Sequence, residues 1–141
     1  MAWYWPDLDS PQSAKTAVVN AVGVSVFFAV YPLWFVLQAL TLPRRSGRLW
    51  LSLAVAILFA VIGWGIRRMS RTAAIVGVVL WLAWIGVHIP GLISGLSRGG
   101  DRFAMIWVVL DLLFLLFYVI AVRATFAYHG HLSATSAVAA R

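Results

Sequence analysis

Residues 72–88 read TAAIVGVVLWLAWIGVH and residues 103–129 read FAMIWVVLDLLFLLFYVIAVRATFAYH, with IPGLISGLSRGGDR between them. Apolar runs of this length cross roughly 30 Å of hydrocarbon at ~1.5 Å per residue. Two ionisable residues, His88 and Asp111, stand well inside the runs. Folding the chain back at Gly99–Gly100 sets His88 opposite Asp111, Trp84 opposite Leu115, Trp81 opposite Tyr118 and Gly77 opposite Val122. Gly77, Trp81, Trp84 and His88 share one helical face, and Trp107, Asp111, Leu115, Tyr118 and Val122 share another. The two polar-aromatic faces therefore fall into one register.

Two more apolar runs precede this pair. Together the four predict an all-α fold, a single transmembrane domain built as an integral membrane four-helix bundle of two antiparallel hairpins. The spans are expected at about 14–42, 49–66, 72–96 and 103–128. Composition agrees: 63% of residues are hydrophobic and 11% charged, against about half and a quarter in a soluble domain. The chain reads as a multi-pass protein of a plasma membrane, of the bacterial inner membrane type. The first run is longer than a signal-peptide core and follows two Asp residues, so it is expected to be a resident helix.

The net charge is +7, from 11 Lys and Arg against 4 acidic residues. The Arg residues fall in short loops between apolar runs, which suits anionic lipid headgroups rather than nucleic acid. Arg44, Arg45, Arg67 and Arg68 are read as interfacial anchors. So are Trp3 and Trp5, in an aromatic segment over residues 1–10. There is no Cys, which removes thiol chemistry and disulfides.

Ser10-Pro11 is a helix start, with a capping hydroxyl before proline at the first helical position. Pro32 and Pro90 are expected to kink their helices. In the first span Asn20, Phe27, Tyr31, Trp34 and Gln38 share a face that is expected to meet protein, with Asn20 and Gln38 as interhelical hydrogen-bond glue. In the second, Ser52, Ala56, Ala60 and Gly63 make a small-residue strip for close helix packing. Gly130 is expected to stop the fourth helix, leaving 129–141 as a polar tail. Four spans place both termini on one membrane side. Six basic residues face that side and five the other, so the positive-inside rule only weakly favours a cytoplasmic position for both ends.

Asp111 lies about eight residues into its helix, ~12 Å deep. A carboxylate there costs roughly 2.5–3.5 kcal/mol unless protonated, paired or hydrated. The expected polar core is Asp111, His88, Tyr118, Tyr31 and Trp34, with Trp81 and Trp84 as aromatic walls. Its plainest role is a buried pair that fixes helix register. A proton pathway is the competing role, and a quinone or lipid pocket a third. No cofactor is predicted. Haem fits poorly, because His88 and His129 lie near opposite faces. His129-Gly130-His131 makes a weak surface metal site at most. No acid pair, nucleophile elbow or phosphate loop is present. The expected function is therefore a non-catalytic membrane protein, an accessory or assembly subunit contacting lipid and other membrane subunits, or a self-associating one. The alternatives are a small proton-coupled transporter or channel using Asp111 and His88, and a membrane enzyme or binding protein for a quinone or lipid.

Overall fold

A computed structural model describes residues 6–41, 49–97 and 104–139. Trp3, Trp5, Arg44 and Arg45 lie outside the described residues. So do the side chains of His88 and Gln38, although their helices are placed. Within the described residues the regular structure is helical: α1 (Pro11–Ala17), α2 (Val19–Thr41), α3 (Leu49–Arg67), α4 (Arg71–Ser97) and α5 (Ala104–Ala139). Four of the helical stretches are long and apolar enough to cross a membrane. Over its described residues the protein is an all-helical membrane protein.

The first span begins where its capping chemistry begins. The Ser10 hydroxyl accepts from the Ser13 backbone N–H at 3.1 Å, the Ser13 hydroxyl accepts from the Ser10 N–H at 3.2 Å, and Pro11 opens the helix. These bonds satisfy donors that a helix start otherwise leaves open. Val18 separates α1 from α2 by one residue, and a bond from the Val22 N–H to the Val18 carbonyl carries the ladder across. The two helices together make one span, Pro11–Trp34. α2 continues through Pro32, and α4 through Pro90.

The turn from α3 to α4 is tight. The Ser70 N–H donates to the Gly65 carbonyl and the Met69 N–H to the Ile66 carbonyl, the double closure of a Schellman motif. Its left-handed position is usually glycine; here it is Met69, at φ 59°. Such a residue costs on the order of 1–2 kcal/mol. Met69 is buried, and its carbonyl accepts from His129 Nε2 of α5 at 3.0 Å, so a second helix holds the turn. Ser70 then caps α4 through the Ala73 N–H.

α5 departs from expectation at its end. It has 36 residues, about 54 Å at the standard rise, well beyond the hydrocarbon thickness. It passes through Gly130 and ends at Ala139, so 129–139 is helical rather than a loose tail. A single glycine costs about 1 kcal/mol in a helix. The polar residues beyond it bond within the helix: Ser133, Thr135 and Ser136 donate to the carbonyls of His129, His131 and Leu132, each four residues back.

α2 packs along α3 and α4 along α5, with α1 and part of α2 also on α5. In lipid there is little hydrophobic drive between helices, and small residues allow the close contacts that hold them. The buried faces follow this rule. Ala14, Ala21 and Ser25 come from the first span, Ala56 and Gly63 from α3, Ala74 and Gly77 from α4, and Ala121, Ala124 and Thr125 from α5. At Gly63 a Cβ would sit 2.8 Å from the Ser25 Cβ, and at Gly77 a Cβ would sit 2.6 Å from the Tyr118 ring. Both sites require glycine.

Candidate functional site

The small residues bring four helices together around one large one. Trp81 of α4 is 0% exposed. Its ring meets Phe28 of α2 edge-on at 4.7 Å, Phe59 of α3 at 6.2 Å and Phe114 of α5 at 5.6 Å. On its remaining side it stacks against Tyr118 of α5 at 6.0 Å. Such pairs contribute ~0.5–1.5 kcal/mol each beyond the area they bury.

The polar atoms in this cluster are satisfied. Trp81 Nε1 donates to the Asp111 backbone carbonyl at 2.8 Å. Ser25 Oγ donates to the Ala21 carbonyl at 2.9 Å, which leaves its lone pairs for the Tyr118 hydroxyl at 2.8 Å. A chain thus runs from Tyr118 to Ser25 to the α2 backbone. Thr125 donates to the Val122 carbonyl at 2.8 Å. Asp111 is 3% exposed, so an acidic residue is enclosed at the edge of the aromatic cluster.

Asp111, Trp81 and Tyr118 therefore share one site. Trp81 and Tyr118 face each other, as expected. Gly77 lies against Tyr118 rather than Val122, and Trp81 also meets Phe114. Gly77, with no Cβ, leaves room for the Tyr118 ring.

Tyr31, Trp34 and Trp84 do not join the cluster. They are 44%, 59% and 48% exposed, so they lie on the outer surface. The first-span stripe was placed on the wrong side. The inward positions are Ala21, Ser25, Phe28 and Pro32, and Asn20, Phe27, Tyr31 and Trp34 are exposed; at 100° per residue the two sets are about 120° apart. Small side chains, not polar-aromatic ones, let α2 approach α3 and α5. Trp81 and Trp84 likewise do not wall one pocket, since the first is sealed and the second faces out.

On α3, Ala56 and Gly63 are buried and Ser52 half-buried, but Ala60 is exposed. The buried face centres on Phe59, Ile62 and Ile66, which turns Ala60 to the edge. Arg67 and Arg68 are exposed at the end of α3, with the Arg68 guanidinium 4.7 Å from the Trp64 ring. Sequence reasoning missed Phe28, Phe59, Phe114 and Ser25. The pattern Ala14, Ala21, Ser25, Phe28 was the available signal, because it repeats the small-residue logic already applied to α3.

The α5 histidines hold chain segments. A carbonyl only accepts, so each ring nitrogen is the donor: His129 Nε2 donates to Met69, and His131 Nε2 donates to the Leu8 carbonyl at 2.6 Å. No group of three or more His, Asp or Glu gathers in metal-binding geometry among the described residues.

Comparison with known families, curated proteins and solved structures finds no match.

Proposed function

We propose that this is a small polytopic integral membrane protein without catalytic activity, either an accessory or assembly subunit of a larger membrane complex or a homo-oligomer. The spans form two antiparallel hairpins, α2 with α3 and α4 with α5. Both termini then lie on one side, here the cytoplasmic face of a plasma membrane of bacterial inner membrane type. The bond from His131 to Leu8 supports that placement of the ends.

The observation that carries this reading is the outward stripe on α2. Phe27 and Tyr31 stack at 5.8 Å, and both of them and Trp34 on the same face are exposed. Exposed aromatic rings at membrane depth suit a helix of another subunit or copy. The test is a benzophenone side chain at position 34, with position 87 on α4 as a control. Photolysis in membranes is expected to link position 34, and not 87, to a protein. Adducts with lipid alone at position 34 refute the proposal.

A second reading has its own support. An enclosed acidic residue in a membrane helix is costly, and such residues commonly serve proton relays. Asp111 is that residue, and the proton-coupled transporter or channel reading rests on it. Asp111→Asn in sealed vesicles is expected to abolish proton-coupled flux with abundance unchanged if Asp111 is a relay. Flux that survives rules the relay out.

A further inference from the structure

A groove of about 330 Å³ runs between α2 and α3 on the membrane face. It lies on a different side of α2 from the aromatic stripe. Val26 and Ala29 line it from α2, and Ala60, Gly63, Trp64 and Arg67 from α3. The described stretch of α3 that borders it, Phe59 to Arg67, spans about 12 Å. That is close to the ~15 Å of one bilayer leaflet, half of the ~30 Å hydrocarbon core. Away from Arg67 the walls are mainly apolar, and the small side chains of Ala29 and Ala60 keep the trough open.

The groove has a polar end. Arg67 closes it at the last residue of α3, where the apolar run stops. Trp64 is exposed beside it with the Arg68 guanidinium on its ring, an aromatic and basic pairing that belongs at headgroup level. Arg67 and Arg68 thus set two guanidinium groups at this end of α3. Basic clefts between membrane helices suit anionic headgroups. The positive end favours a phosphate over the apolar face of a protein helix.

We propose that the α2–α3 groove holds one acyl chain of an anionic phospholipid whose phosphate pairs with Arg67. The test is native mass spectrometry of the purified full chain in mild detergent. Phosphatidylglycerol and phosphatidylcholine of identical chains are titrated separately. The wild type is expected to retain phosphatidylglycerol about fivefold more strongly, the equivalent of ~1 kcal/mol for one basic residue near an anionic surface. Arg67→Gln is expected to remove that preference, and Ala60→Phe, which fills the trough from an exposed position, to weaken retention of both lipids. Arg71→Gln, whose guanidinium lies over the Phe126 ring of α5 outside the groove, is expected to keep the preference. Equal retention of the two lipids by the wild type overturns the proposal. So does unchanged retention in Ala60→Phe, or an Ala60→Phe variant that loses a dimer instead of a lipid, since the occupant is then a second copy.

Discussion

Gly77→Ala tests the core more sharply than any other single change. The added Cβ would sit 2.6 Å from two carbons of the Tyr118 ring, whereas ordinary contacts begin at 3.4 Å. The ring and the α4 backbone must therefore separate by about 0.8 Å. Tyr118 has little freedom to yield, because its hydroxyl is 2.8 Å from Ser25 Oγ and its ring stacks on Trp81. A shift of that size away from Ser25 stretches the bond to about 3.6 Å, beyond hydrogen-bonding distance. Overpacking costs ~1–3 kcal/mol, and loss of an interhelical hydrogen bond adds ~0.6–1 kcal/mol. The expected destabilisation is about 2–4 kcal/mol. Unfolding by sodium dodecyl sulfate from mild detergent, followed by circular dichroism and tryptophan fluorescence, measures it. Gly86→Ala is the control: nothing lies within 4 Å of a Cβ there, so it should be neutral or slightly stabilising through helix propensity. In a Tyr118→Ala background most of the Gly77→Ala penalty should vanish. The reasoning fails if Gly77→Ala unfolds with Gly86→Ala, or if its penalty is the same in both backgrounds.

The same assay should rank Ser25→Ala above Tyr118→Phe in cost. The first strands a buried hydroxyl, at ~1–3 kcal/mol. The second leaves Ser25 still bonded to the Ala21 carbonyl and should cost ~1 kcal/mol or less; the reverse order contradicts the donor assignment. Trp81→Phe keeps a ring among Phe28, Phe59 and Phe114 but loses the bond to the Asp111 carbonyl, for ~1 kcal/mol, while Trp81→Ala should cost ~3–5 kcal/mol. His131→Ala removes the bond to Leu8; hydrogen exchange should quicken at residues 6–10 and stay unchanged at Trp81, and equal exchange at Leu8 would show that the bond does not hold the segment.

Much of the fold was legible because its signals are local. Ser10-Pro11 marks a helix start by its own capping chemistry. The apolar runs and the Arg clusters between them set the spans, since membrane thickness imposes one length on every crossing helix. α3 begins at the expected Leu49 and ends one residue from its expected end. At the site, Asp111, Tyr118 and Trp81 were identifiable because such groups are expensive to leave facing lipid.

The rest depends on which sides of helices meet, and that is a property of pairs. The first-span stripe shows why. Polarity and aromaticity suggested an inward Tyr31 and Trp34, but the helices approach where Ala21, Ser25 and Gly63 leave room, so α2 is turned by a third of a turn. The contact of Tyr118 with Gly77, where Val122 was expected, has the same origin, because glycine leaves room for the ring. The extension of α5 past Gly130 also escaped local reading: packing along α1 and the bonds from His129 and His131 add helix stability that a lone glycine does not cancel. The amino-acid sequence by itself determined that this chain crosses a membrane as apolar helices and where those helices start. Tertiary structure alone decided which faces are inside, because close packing between helices, rather than escape from water, holds a protein together within lipid.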